Sequence, residues 1–173
     1  MVALAQRPCA ALWSWLIDQG SLTQRLRSRV GDGFALQVIA HGDQPLRRAD
    51  AERMACGFPQ AALIREVRLE AAGRAAIHAV TVIPASTRAA YPQLAALGTR
   101  PLGDALFDPA FIGAVTQREP FEVACLAPDH VLAERALAAA GVAPKAVWAR
   151  RSVVRLGAAP LLIHECFVAD WEW

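Results

Sequence analysis

Two strand pairs, each closed by a glycine-bearing turn, constrain this chain more than anything else in it. Ala61 to Glu70 and Ala75 to Ile83 are strand-like runs joined by Ala71-Ala72-Gly73-Arg74. Val147 to Leu156 and Pro160 to Val168 repeat the arrangement around Gly157-Ala158-Ala159. A strand, a short turn with glycine and a returning strand make an antiparallel hairpin. The helical stretches around them do not alternate with strands in the rhythm a parallel sheet requires. The pattern predicts an α+β fold, with an antiparallel sheet and flanking helices.

The remaining segments fill in that outline. Helices are predicted over Leu12 to Ile17, over Leu22 to Arg29 with Ser21 as its cap, and over Pro128 to Ala140 with Gly141 closing it. Shorter ones are predicted over Tyr91 to Leu97 and Leu102 to Phe107, where Pro101 suits a first helical turn. Phe34 to Ala40 alternates as a strand, and Phe111 to Gln117 and Phe121 to Leu126 are candidate strands. Gly42 to Pro59 reads as a loop. No repeat or linker divides the 173 residues, so one domain, 1–173, is expected.

Composition removes several function classes. With 55% hydrophobic and 20% charged residues the balance is that of a globular protein. A formal net charge of +2 offers no basic surface for nucleic acid or membrane. No run approaches the roughly 20 apolar residues of a membrane helix, and Arg7-Pro8 interrupts the N-terminal segment before a signal sequence could form. Cys9, Cys56, Cys125 and Cys166 lie too far apart for metal-ligand spacing and read as reduced thiols. A cytoplasmic monomer is expected.

Two charges stand out against the strand alternation. Strand side chains alternate between faces with a period of two. Arg65 therefore shares a face with Leu63, Val67 and Leu69, and Glu165 with Leu161, Ile163 and Phe167. Glu66 and Arg68 point the other way, as a solvated face would. Arg and Glu are almost never fully buried without a partner. Either Arg65 and Glu165 pair with each other, or they await a polar ligand in an apolar pocket. A buried ion pair is often no more stabilising than an apolar substitute, which weighs against a purely structural role.

Other motifs carry less. There is no glycine-rich phosphate loop after a strand and no Gly-x-Ser-x-Gly elbow. In His164-Glu165-Cys166, His164 and Cys166 share one face and Glu165 takes the other, so the three cannot converge on a metal. His41, His78 and His130 are isolated and are expected at the surface. Arg150 and Ser152 face away from Arg151; Arg150 is either a rim residue or a positive charge beside an anionic ligand.

Six ordered pieces of the chain resemble the chorismate pyruvate-lyase family. They are Gly20-Ser21-Leu22-Thr23-Gln24-Arg25-Leu26, Leu63-Ile64-Arg65-Glu66-Val67, Thr81-Val82-Ile83-Pro84, Leu97-Gly98-Thr99-Arg100-Pro101-Leu102-Gly103-Asp104-Ala105-Leu106-Phe107, Trp148-Ala149-Arg150-Arg151-Ser152, and Pro160-Leu161-Leu162-Ile163-His164-Glu165-Cys166-Phe167. Each is weak alone; in order they span most of the chain.

The resemblance implies a chorismate lyase-like domain with a sheet of about six antiparallel strands and an internal site. It implies conversion of chorismate to 4-hydroxybenzoate and pyruvate, the first step of ubiquinone biosynthesis, without metal or organic cofactor. The alternative is a non-catalytic module of the same fold that binds an aromatic carboxylate. The family's substrate contacts fall on Leu22, Arg65, Leu102 and Glu165. Arg65 would hold the ring carboxylate. Glu165 would hold the C4 hydroxyl and act as base, acid or hydrogen-bond partner. Leu22, where the family usually has Met, and Leu102 would wall the pocket. Helices around Ser21 to Arg29 and Leu102 to Phe107 would serve as lids, with slow product release. The family commonly has Arg before Thr-Val-x-Pro, where this chain has Val80. One positive charge is then expected from elsewhere, with Arg150, Arg151 and His78 as candidates.

Overall fold

A computed structural model describes residues 7–112 and 116–168. Among these residues seven strands form one antiparallel sheet: β1 (Phe34–Pro45), β2 (Ala61–Ala71), β3 (Arg74–Pro84), β4 (Thr116–Arg118), β5 (Glu122–Leu126), β6 (Val147–Leu156) and β7 (Ala159–Phe167). Their order is β1-β2-β3-β7-β6-β4, with β5 also paired to β6. β4 lies opposite Val154 to Leu156 and β5 opposite Val147 to Arg151, along the same edge of β6. They amount to one edge strand broken at Glu119-Pro120-Phe121, where Pro120 has no N–H to give the ladder. The sheet is thus six positions wide.

Both expected hairpins form. In the first, Ala72 (φ 50°) and Gly73 (φ 75°) make a two-residue turn with both residues left-handed. That geometry matches the twist of the flanking strands and suits glycine. Its register sets Arg65 opposite Thr81 and Val67 opposite Ala79. In the second, Arg150 lies opposite Glu165 and Ser152 opposite Ile163.

Helices cover both faces. They are α1 (Ala10–Leu16), α2 (Leu22–Val30), α3 (Arg48–Met54), α4 (Ala85–Ala90), α5 (Leu102–Leu106), α6 (Pro109–Ile112) and α7 (Val131–Ala140). On one face, Leu63, Ile83, Val154, Leu161 and Ile163 pack against Leu102, Ala105, Leu106 and Ile112. Farther along the same face, Val67, Leu69, Ile77 and Phe167 pack against Trp15, Leu16, Leu22 and Leu26. A seam separates these clusters. On β2 it falls at Arg65, between Leu63 and Val67; on β3 at Thr81; on β7 at Glu165, between Ile163 and Phe167. The second face carries α3 over Ala62, Val82, Val153 and Leu162, and α7 over Ala149 and Cys166.

Several local expectations change. Gly42 to Pro59 is not a loop: β1 runs on to Pro45 as an edge strand, and α3 follows. Only Ala51 and Met54 of α3 are buried apolar residues, too few for a periodic signal among its charges. Phe111 to Gln117 is not a strand; α6 ends at Ile112, and β4 begins at Thr116. Tyr91 to Leu97 is reduced to a 3-10 turn at Pro92–Ala96, and α4 precedes it.

The largest correction concerns the second face of β2 and β3. Glu66 is not solvated and His78 is not at the surface; they are 3% and 1% exposed. Glu66 Oε1 lies 2.6 Å from His78 Nε2, and Arg135 of α7 bonds the other carboxylate oxygen. Packing of α7 there removes the water that alternation alone would assign to that face. Among the described residues, no helix is long and apolar enough to cross a membrane.

Candidate active site

The seam opens into a small cavity of about 50 Å³. β2, β3 and β7 form its floor through Arg65, Val67, Thr81 and Glu165, and Ile163 adds an apolar patch. Two helix starts cover it: Ser21, Leu22 and Thr23 at α2, and Pro101, Leu102 and Gly103 at α5. Leu22, Arg65, Leu102 and Glu165, far apart in sequence, therefore border one space.

Each cover is fixed by a local device. Ser21 caps α2, its hydroxyl accepting from Gln24 N–H at 3.2 Å. Gly103 permits close approach, since a Cβ there would stand 2.7 Å from Ser21 Oγ. Arg27 Nη1 and Asp104 Oδ2 join the two helices at 2.5 Å. This contact is half-exposed on the arginine side and adds little, about 0–1 kcal/mol.

Arg65 and Glu165 do not pair with each other. Arg65 is 1% exposed, and its Nη2 donates to the carbonyls of Gly98 and Arg100, both at 3.0 Å. Its Nε is buried without an acceptor. These carbonyls belong to the turn leading into α5, so the lid segment and the guanidinium hold each other in place. Burial pushes the Arg65 pKa down from its usual value. Among the described residues no carboxylate lies within ion-pair distance of it.

Glu165 instead meets Arg150 across the β6–β7 register. Arg150 Nε donates to Glu165 Oε2 at 2.6 Å, and Arg150 is 1% exposed. Its Nη1 donates to the carbonyls of Trp15 at 2.9 Å and Asp18 at 2.8 Å, with Leu16 at 3.3 Å. These are carbonyls at and just beyond the C-terminus of α1, where a cation is favoured. The Phe121 ring lies 4.0 Å under the guanidinium. Of the two roles open to Arg150 from sequence, the rim position is excluded.

The positive charge expected from elsewhere needs a different account. Ala79 and Thr81 line the cavity, while Val80 faces the opposite side with Val82 and Ile64. A cation at position 80 would point away from Arg65 and Glu165. Arg151 and His78 also belong to that second face. The additional charge at the cavity is Arg118, at the end of β4. Its Nε and Nη1 are buried without acceptors. Burial lowers its pKa, while the charge of Glu165 pulls it back up. Sequence reading misses Arg118 because a three-residue strand ending before Glu119-Pro120 offers no alternation to violate. Arg65, Arg118 and Arg150 against Glu165 leave a formal surplus of two positive charges around the cavity. Among the described residues, no three His, Cys, Asp or Glu side chains gather as metal ligands.

The fold and site define the class of protein: one antiparallel sheet with a cationic, partly apolar cavity beneath two short helices. Its relatives place it more closely. A family model described as Chorismate lyase matches residues 4–172. A probable chorismate pyruvate-lyase of Thiobacillus denitrificans is 40% identical over 137 residues, covering 74% of this chain and 72% of that protein. One from Ralstonia nicotianae is 40% identical over 132 residues, covering 73% and 63%. The chain belongs to the chorismate lyase family and is an enzyme of the lyase class.

Solved structures share the fold at low identity. A GntR-family transcriptional regulator from Bacillus cereus matches with TM-score 0.64 and 11% identity, over 82% of this chain and 96% of that one. The effector domain of PhnF from Mycobacterium smegmatis matches with TM-score 0.62 and 17% identity, over 88% and 91%. At such identities the likeness is one of fold alone.

Proposed function

We propose that this protein is a chorismate pyruvate-lyase, converting chorismate to 4-hydroxybenzoate and pyruvate in the ubiquinone pathway. The observation that carries this reading is the surplus of two positive charges around a partly apolar cavity. Chorismate is a dicarboxylate built on an apolar ring, and the charge count and the walls suit it.

The chemistry asks little beyond a frame. The C4–H bond pair becomes the C3–C4 double bond of the new aromatic ring. The C3–O pair leaves with enolpyruvate, and a proton on its methylene carbon completes pyruvate. Aromatisation drives the reaction, so no covalent bond to the protein is required. Arg65, its Nη2 held by the carbonyls of Gly98 and Arg100, offers its remaining N–H donors, the unpartnered Nε among them, to the ring carboxylate. Glu165, held through Oε2 by Arg150, receives the C4 hydroxyl and fixes the ring. Leu22 and Leu102 exclude water, which strengthens both contacts. Positioning and a fixed electrostatic frame then supply most of the acceleration. The product keeps the carboxylate and hydroxyl, so release must wait for the covers to move.

The test is incubation with chorismate and detection of pyruvate through a coupled lactate dehydrogenase. Folded protein that releases no pyruvate would refute the lyase activity. The likeness to regulator effector domains favours one second reading, a binding module. Thermal stabilisation by 4-hydroxybenzoate without pyruvate release would support that module instead.

A further inference from the structure

We infer that Arg118 holds the enolpyruvyl carboxylate of the substrate and makes the site selective for a dicarboxylate. This rests on the lyase reading above.

Arg118 has the features of a group waiting for an anion. Its Nε and Nη1 are buried, and no acceptor among the described residues reaches them. Among the described residues, it has no carboxylate within ion-pair distance. Burying a guanidinium without a partner is costly unless something else supplies one. Arg150 differs in being committed: Glu165 and the carbonyls beyond α1 take up its Nε and Nη1.

Position assigns Arg118 to one end of the ligand. The Phe121 ring lies 5.3 Å from the Arg118 guanidinium and 4.0 Å from that of Arg150, which bonds Glu165. Arg118 thus belongs to the Glu165 end of the cavity, and Arg65 is held separately by the turn before α5. In chorismate the ring carboxylate on C1 is para to the C4 hydroxyl, and the enolpyruvyl ether on C3 is adjacent to it. With the ring carboxylate on Arg65 and the hydroxyl on Glu165, the second carboxylate must lie beside Glu165. Charge also builds on the departing enolpyruvate as the C3–O bond breaks. A cation already in place there stabilises that transition state. The product 4-hydroxybenzoate has no group at this position.

Arg118→Gln separates the two ends. Its kcat/KM for chorismate is expected to fall on the order of 100-fold, as for loss of one partner of a buried charge pair. Its Kd for 4-hydroxybenzoate should stay within about threefold of wild type, because that ligand never touches Arg118. Arg118→Lys, keeping charge without the fork, should recover at least about tenfold of the lost kcat/KM. Should Arg118→Gln not fold, Arg118→Lys carries the test by the same split: a loss with chorismate, none with 4-hydroxybenzoate. Retention of wild-type kcat/KM in either folded variant overturns the inference. So does equal weakening towards both ligands, which marks a structural residue. Chorismate Kd is measured beside the kinetics. A wild-type protein that binds chorismate but releases no pyruvate refutes the lyase reading alone, and the Kd ratio of the two ligands still tests Arg118.

Discussion

Replacing Arg150 by Met is expected to be the most destabilising single change at the site. The guanidinium is 1% exposed and makes three kinds of contact at once. It neutralises Glu165 at 2.6 Å, it caps the carbonyls of Trp15 and Asp18, and it lies on Phe121. Methionine keeps much of the volume and none of the donors. Glu165 is then a buried carboxylate without its counter-ion, a loss of about 3–5 kcal/mol. Each carbonyl left dry adds about 1–3 kcal/mol, and the one at Asp18, nearer the surface, can find water. The expected total is about 4–8 kcal/mol, a large part of the 5–15 kcal/mol typical of a domain. Adding Glu165→Leu removes the stranded carboxylate and should return about 3 kcal/mol, so the double variant is more stable than Arg150→Met alone. Urea denaturation of wild type, both single variants and the double variant closes the cycle, with Trp15 as a buried fluorescent reporter. A loss below about 1 kcal/mol for Arg150→Met, or a double variant whose loss equals the sum of the singles, would show that the pair does not work as described.

His164, on the second face, should make the fold acid-sensitive. Burial lowers its pKa to about 4, with Asp50 opposing and Arg47 and Arg151 adding to the shift. The unfolded chain takes up this proton as pH falls through about 6.5 and the folded chain does not, so stability drops by about 2 kcal/mol between pH 7.5 and pH 5. His164→Leu should lower that drop in a Tm series, and an unchanged slope would exclude His164 as its source. Gly103→Ala should destabilise by about 1–3 kcal/mol, because the new Cβ meets Ser21 Oγ at 2.7 Å and forces the two covering helices apart. Faster dissociation of 4-hydroxybenzoate in stopped flow should accompany it, and a rise in Tm, the usual result of Gly→Ala in a helix, would contradict the close approach.

What was legible in the sequence follows a physical division. Alternation exposes Arg65 and Glu165 because each breaks a local pattern, and a period of two needs only neighbouring residues. It misjudges Glu66 and His78 because an outward face meets water only if nothing packs on it, and the Arg135 that packs there is 69 residues from Glu66 in sequence. Parity also bears on Val80. Hairpin pairing sets Arg65 opposite Thr81, so position 80 faces the other way, and a missing cation there deprives the cavity of nothing. Partners are the part that local pattern cannot supply. From sequence, Arg65 and Glu165 are equivalent, two charges able to neutralise each other. In the fold they differ. Glu165 is satisfied by Arg150 across two paired strands, whereas Arg65 bonds only neutral carbonyls, and Arg118 has no acceptor for the two buried nitrogens. A satisfied pair would hold the sheet together with or without a ligand. Two guanidiniums with buried N–H groups and, among the described residues, no paired carboxylate cost stability in the empty protein, and a bound dianion would offset that cost. That difference favours the proposed substrate site over an ion pair between Arg65 and Glu165.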